Sequence, residues 1–131
     1  MFLARSSDYA VRALCYLNNN KGRLVSVKEL VKETGVPYPF LRKILQVLGK
    51  KKILASHKGK KGGFELSRAS GSLFLREIIE IFQGPFKISD CSLGKKACPN
   101  MGYCTLKRKM EEVEEQVLKK LDGITLSELC K

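Results

Sequence analysis

Apolar residues recur at three- and four-residue spacing in five separate stretches, each bounded by residues that start or break helices. The first runs from Ser6-Ser7-Asp8, which supply capping groups and an early acid, to about Asn18, with Tyr9, Ala10, Ala13, Leu14 and Leu17 on one face. Asn18-Asn19-Asn20-Lys21-Gly22 breaks it. The second opens on Ser26-Val27-Lys28-Glu29, a capping box in which the hydroxyl and the carboxylate can each satisfy an orphan amide. Val25 and Leu30 flank it as a hydrophobic staple, Leu30 and Val31 are its apolar contacts, and Thr34-Gly35 ends it with a residue that tolerates positive φ. Val36 and Pro37 separate it from a third stretch, opened near Pro39 and running to about Leu48. Leu41, Ile44, Leu45 and Leu48 form the buried stripe there, leaving Tyr38, Arg42, Lys43 and Gln46 for other faces. Leu75, Ile78, Ile79 and Phe82 mark the fourth, stopped by Gly84-Pro85.

A different period intervenes between the third and fourth. Ile53-Leu54-Ala55-Ser56-His57-Lys58 and Gly63-Phe64-Glu65-Leu66 read as two short strands joined by a Gly59-Lys60-Lys61-Gly62 turn. Two helices joined by a tight glycine turn and followed by a hairpin form a helix-turn-helix with a wing. The alternative for the helices alone is a plain αα-hairpin in a bundle. In a helix-turn-helix the second helix enters the major groove by its N-terminal residues, and a lysine-tipped glycine loop can approach phosphates closely. The candidate DNA contacts are Lys28, Tyr38, Pro39, Arg42, Lys43, His57, Lys58, Gly59, Lys60 and Lys61.

The fifth stretch, from about Thr105 to Leu121, carries Leu106, Met110, Val113, Val117 and Leu121 on one stripe. Glu111, Glu112, Glu114, Glu115, Lys119 and Lys120 cover the rest, which fits a two-helix interface between subunits better than packing onto its own subunit. Gly123 ends it, and Thr125-Leu126-Ser127-Glu128 reads as a second capping box opening a terminal turn. The fold class is therefore mostly α with a small β-hairpin. Residues 1–84 form a winged helix-turn-helix domain, 85–104 a cysteine-rich loop, and 105–131 a dimerisation helix with its C-terminal turn, all in one compact protomer.

Charge sharpens this picture. The formal charge of +12 is segregated: residues 1–70 hold 15 Lys/Arg against 4 Asp/Glu, and residues 71–131 hold 10 against 9. A basic half joined to a near-neutral half is the footprint of a nucleic-acid face. No apolar run reaches the roughly 20 residues of a membrane span. The N-terminus has no signal-peptide layout, so the expectation is a cytoplasmic protein with reduced thiols.

Three of the five cysteines, Cys91, Cys98 and Cys104, fall within a loop of Gly, Pro, Asn and Lys. Their spacing lacks the paired C-x-x-C of structural zinc and suits a polynuclear iron–sulfur cluster wrapped by a loop. Thiolates are soft ligands that select iron–sulfur clusters or zinc, and Lys95 and Lys96 favour the thiolate form. A fourth ligand is open among Asp8, Asp90, Cys15, Cys130 and an exchangeable small molecule. Cys15 reads most simply as a small, partly buried hydrophobe and Cys130 as a frayed, reactive thiol. The single histidine, His57, lies in the wing and reads as a surface or DNA-facing residue.

With these segments in hand, the chain resembles the Rrf-two family of winged-helix transcription regulators. The likeness is carried by Asp8-Tyr9-Ala10-Val11-Arg12-Ala13-Leu14, by Gly35-Val36-Pro37-Tyr38-Pro39-Phe40-Leu41-Arg42-Lys43-Ile44-Leu45, and by the wing Ser56-His57-Lys58-Gly59-Lys60-Lys61-Gly62-Gly63-Phe64. The three loop cysteines and the ending Ile124-Thr125-Leu126-Ser127-Glu128-Leu129 add to it. The resemblance implies a homodimer that crosses its long helices and binds a palindromic operator in double-stranded DNA. It also implies a 2Fe–2S or 4Fe–4S cluster on Cys91, Cys98 and Cys104. IscR-type members place a histidine ligand three residues after the third cysteine, where this chain has Lys107. NsrR-type members use an N-terminal aspartate of the partner subunit, and Asp8 stands at the matching position. Lys58 and Lys61 replace wing arginines usual in the family, and the first cysteine gap is six residues where five is usual.

The leading functional expectation is thus a cytoplasmic regulator, not an enzyme, with no membrane or small-molecule substrate. Its operator affinity would be set by the cluster as a sensor of redox, nitric oxide or iron–sulfur status. The alternative is a small iron–sulfur or zinc protein for electron transfer or assembly with an acidic protein partner. A cysteine-nucleophile enzyme lacks a supporting His/Asp constellation.

Overall fold

A computed structural model describes residues 3–88 and 104–130. Helices α1 (Arg5–Asn19), α2 (Val27–Thr34) and α3 (Tyr38–Lys50) lead into an antiparallel hairpin of β1 (Leu54–His57) and β2 (Gly63–Leu66). A 3-10 turn (Ser70–Ser72), α4 (Leu75–Gln83), α5 (Thr105–Asp122) and a short α6 (Leu126–Leu129) complete the order. The four helical stretches up to Gln83 and the helix at 105–122 match the expected periods, with ends shifted by one or two residues.

Side chains from the first four helices, the hairpin and the C-terminal turn meet in one core. Ala10, Ala13, Leu14 and Leu17 of α1 pack with Leu30 of α2 and with Leu41, Ile44, Leu45 and Leu48 of α3. Ile53, Leu54, Leu73, Ile78 and Leu126 close it. Leu14, Leu30, Leu41, Leu48 and Leu126 are wholly buried. Each such leucine contributes roughly 2 kcal/mol by leaving water. The apolar stripes read along the first three helices supply these residues, so the helix-turn-helix is held by its own hydrophobic pattern.

The hairpin register pairs Leu54 with Leu66, Ala55 with Glu65, Ser56 with Phe64, and His57 with Gly63. It does not stand alone. Val25, between α1 and α2, forms an antiparallel bridge with Phe64, with N–H···O distances of 3.0 and 2.8 Å in the two directions. This isolated bridge fastens the wing to the helix-turn-helix. Gly63 makes it possible, because a Cβ there would stand 2.6 Å from the Val25 carbonyl oxygen.

Several helix ends depart from expectation. Ala4, not a residue of Ser6-Ser7-Asp8, is the N-cap of α1. Its amide donates to Gln83 Oε1 at 2.9 Å, and the buried Ser7 hydroxyl donates to the same oxygen at 2.7 Å. The end of α4 therefore caps α1. At α2 the Ser26 hydroxyl accepts from the Glu29 amide at 3.1 Å, as the capping box requires. The Glu29 carboxylate does not return to Ser26; Arg23 and Tyr16 take it. Gly35 ends α2 with φ +73°. The second capping box does not form either, since the Thr125 hydroxyl faces the Ser127 hydroxyl at 2.9 Å.

Helix α5 is the outlier in burial: none of its residues is buried within the protomer. Leu106 is 71% exposed and Val113 49%. Packing back onto its own subunit does not cover this stripe. Among the described residues, polar side-chain contacts tie the helix to the body. Arg76 of α4 pairs with Asp122 at 3.0 Å while also holding Glu80 at 3.1 Å. The Ile88 amide donates to Glu114 at 3.3 Å.

The largest correction concerns thiols. Cys15 of α1 and Cys130, just beyond α6, are joined in a disulfide. Neither the expected reduced state nor a frayed Cys130 describes this pair. The compartment rule behind that expectation concerns averages, whereas here the last turn is seated on α1 with its cysteine opposite Cys15.

Candidate DNA-binding surface and cysteine site

The residues expected to touch DNA lie on the exposed sides of α2, α3 and the wing. Tyr38 opens α3 and is 52% exposed, and Pro39, Arg42 and Lys43 beyond it are exposed too. The buried stripe of α3 leaves these side chains outside because they occupy the opposite side of a 3.6-residue period. Between α3 and the wing lies a cleft of about 650 Å³ lined by Val27, Tyr38, Arg42, Gln46, Ser56 and Phe64, among others. Lys58, Gly59, Lys60 and Lys61 are all exposed at the wing tip, where Gly59 has φ +114°. Lys28 is exposed on the first turn of α2. His57 lies 3.0 Å from Glu65 Oε1 across the hairpin, which ties its ring to the neighbouring strand.

Sequence reasoning missed the network that sets α2. Arg23 forks onto Glu29, at 3.1 Å to Oε1 and 2.5 Å to Oε2. It also donates to Asn20 at 3.0 Å, while the Tyr16 hydroxyl donates to Glu29 Oε2 at 2.6 Å. Four residues from α1, the connecting loop and α2 are thereby joined around one carboxylate. The guanidinium, then the tyrosine hydroxyl, holds the Glu29 carboxyl down to about 2 from an ordinary 4.5. The same carboxylate raises the pKa of Tyr16. Because the folded carboxyl is the stronger acid, its stabilisation is fully present above about pH 4.5 and is lost as pH falls through about 2. Glu29→Gln is expected to lower the thermal midpoint at pH 7 and to show a shallower loss of stability between those values than the parent. Thermal melts across that acid range check it.

The cysteine site is described at one ligand. Cys104 is a free thiol, partly buried, at the N-cap of α5, where its sulfur accepts from the Lys107 amide at 3.4 Å. A helix N-terminus accommodates an anionic sulfur ligand, and N–H···S hydrogen bonds of this kind tune iron–sulfur centres. Cys91, Cys98 and Asp90 lie outside the described residues. Among the described residues no group of three or more metal-ligating side chains converges. Asp8 sits in the first turn of α1, its carboxylate paired with Arg12 at 3.2 Å on the surface. Cys15 and Cys130 are removed from the candidate ligands, because sulfurs bonded to each other are not thiolates. The donor set that remains, three loop thiols with a surface carboxylate, is chemically suited to an iron–sulfur cluster.

Comparison with known proteins places this arrangement. An HTH-type transcriptional regulator of Aquifex aeolicus (strain VF5) is 34% identical over 131 residues, covering 98% of this chain and 91% of that one. The HTH-type transcriptional regulator NsrR of Bacillus licheniformis is 28% identical, covering 98% and 92%. Among solved structures, IscR of T. potens superposes with a TM-score of 0.77 at 25% identity, covering 98% of this chain and 85% of its own. CymR, the global cysteine regulator of B. subtilis, shares the fold with a TM-score of 0.75 at 18% identity, covering 99% and 96%. The model of the Rrf2 family, described as an iron-dependent transcriptional regulator, matches residues 3–131. With its winged helix-turn-helix and this match along nearly its whole length, the chain belongs to the Rrf2 family of DNA-binding transcriptional regulators and is not an enzyme.

Proposed function

We propose that this regulator is a cytoplasmic homodimer whose affinity for a palindromic operator is set by an iron–sulfur cluster on Cys91, Cys98 and Cys104. Asp8 of the partner subunit is the fourth ligand. The observation that carries the reading is the position of Cys104: the third thiol is the residue that starts α5. A ligand site and a subunit-pairing helix thus share one residue, so ligation and dimer geometry are mechanically coupled. The uncovered stripe of α5, from Leu106 through Val113, supports pairing with a second copy. Asp8 is held by a surface ion pair with Arg12, the kind of contact that is worth little and is easily exchanged. A cluster, when bound, supplies a redox- and ligand-sensitive centre. The fold alone does not favour a cluster, since CymR shares it; the three thiols are what support one here. Family membership favours a regulator over the electron-transfer alternative.

On the DNA side, Lys28, Lys43, Lys58, Lys60 and Lys61 neutralise phosphates, while Tyr38, Pro39 and Arg42 face the bases. His57 and Gly59 shape the wing. Each phosphate contact adds about −0.9 to the slope of log K against log salt. The double variant Lys60→Ala/Lys61→Ala is therefore expected to flatten that slope by nearly two, as measured by titrating operator DNA at several salt concentrations. An unchanged slope would take the wing tip out of the interface. Arg42→Ala is expected to cost about 1–3 kcal/mol at particular operator positions. Uniform weakening across sequences would instead make Arg42 a phosphate contact. Anaerobic reconstitution and then operator titration test the reading as a whole.

A further inference from the structure

We infer that Cys15 and Cys130 form a reversible thiol–disulfide site, separate from the loop thiols, that controls how firmly α5 is fastened to the DNA-binding domain. The inference starts from how α5 is anchored. With no buried residue of its own, the helix is held by its polar links to Arg76 and Ile88 and by the C-terminal segment beyond Asp122. There the Leu75 amide donates to the Ile124 carbonyl at 2.9 Å and the Leu126 amide to the Leu73 carbonyl at 2.8 Å. Leu126 enters the common core and is wholly buried. The anchor is completed by the bond between Cys130 and Cys15, whose Cα atoms are 4.9 Å apart, within the normal range for a disulfide. Cys15 lies on α1 next to Leu14, which packs with α2 and α3. The disulfide therefore joins the seat of the pairing helix directly to the helix that carries the DNA-reading unit.

Two features make it a site for redox chemistry. Both cysteines are only partly buried, so a small reagent can reach them. A protein that binds DNA works in a compartment kept reducing, where disulfides are typically transient and redox-sensing. Its formation by a hydroperoxide is balanced. One thiolate attacks a peroxide oxygen, giving a sulfenic acid and, after protonation of the leaving oxygen, water or an alcohol. The second thiolate displaces hydroxide from the sulfenic sulfur, forming the S–S bond and a second water. A dithiol reductant returns both thiols by exchange and becomes a disulfide itself.

The test uses the full-length chain, wild type and Cys130→Ser, equilibrated anaerobically in graded reduced and oxidised dithiothreitol. Free thiols are trapped with N-ethylmaleimide and located by peptide mass, with hydrogen exchange over residues 124–129 and sedimentation measured on the same samples. Cys15 and Cys130 are expected to reduce together without unfolding, with exchange at Leu126 and its neighbours rising about tenfold or more as the local anchor opens. Cys130→Ser should show the fast exchange in every buffer, with the loop thiols untouched. Dimer dissociation is expected to rise in parallel, a consequence that rests on the proposed α5 pairing. Fast exchange with an unchanged dimer would support the latch and count against that pairing. A pair that resists excess dithiothreitol, or reduces with no change in exchange, would overturn the inference and leave a purely structural staple.

Discussion

Gly63→Ala is expected to weaken operator binding on the order of a hundredfold, because it detaches the basic wing while leaving the helical core folded. The added methyl would lie 2.6 Å from the Val25 carbonyl oxygen and 2.8 Å from its carbon, both backbone atoms that cannot swing away. The two Val25–Phe64 hydrogen bonds occupy this spot, so the strand must retreat and break them. Gly62→Ala is expected to act similarly, since a Cβ there overlaps the His57 carbonyl oxygen and disrupts the wing turn. Lost hydrogen bonds and strain together cost about 2–4 kcal/mol. Hydrogen exchange at residues 54–66, denaturant midpoints and duplex titration check this prediction. Retained protection at Phe64 with undiminished binding would contradict it.

That prediction marks where the sequence stops being legible. Helices α2 and α3 and the hairpin could be read because their signals are local: an apolar stripe, Ser26, Gly35, and a glycine turn between two short strands. Residues 59–62 read as a turn for that reason. The need for glycine at position 63 could not be read, because it comes from Val25, 38 positions earlier along the chain. The same holds for α1, whose start is capped by Gln83 from α4 rather than by its own serines. Glu29 looked like half of a capping box, yet Arg23 and Tyr16 outcompete the Ser26 amide for its carboxylate. A charged fork plus a hydroxyl simply binds a carboxylate better than one backbone donor does. Cys15 read as a small, partly buried hydrophobe and Cys130 as a frayed end, because nothing local says that α6 returns to α1. For the candidate site, the exposed faces of α3 and the wing were readable, and Cys104 falls at the predicted start of α5. Its role as that helix's cap was not predicted.

The other large effect is expected at Cys104, which has two roles that substitution can separate. Cys104→Ala should abolish cluster binding and also remove the cap on α5, a loss of about 0.5–2 kcal/mol in helix stability. Cys104→Ser should keep or improve the cap, since a hydroxyl accepts well from the Lys107 amide, yet still lose the cluster because a hard oxygen replaces a soft sulfur. Iron and acid-labile sulfide measured after anaerobic reconstitution, beside circular dichroism of both variants, separate the two roles. Cys91→Ala and Cys98→Ala should match the alanine variant in iron content. Cys15→Ala and Cys130→Ala should retain it, as their sulfurs already hold each other. Asp8→Ala should retain a cluster with one ligand position open and more readily attacked. A Cys104→Ser protein carrying full iron and sulfide would remove Cys104 from the ligand set.

The proposal that a cluster sets operator affinity is tested most directly by one titration. The duplex upstream of the regulator's own coding sequence is titrated anaerobically with a single preparation, before and after its iron and sulfide are removed. The two curves are expected to differ by about tenfold or more in affinity, the ordinary scale of coupling between two sites on one protein. Identical curves, from a preparation shown to have carried stoichiometric iron and sulfide, would contradict a cluster-controlled switch.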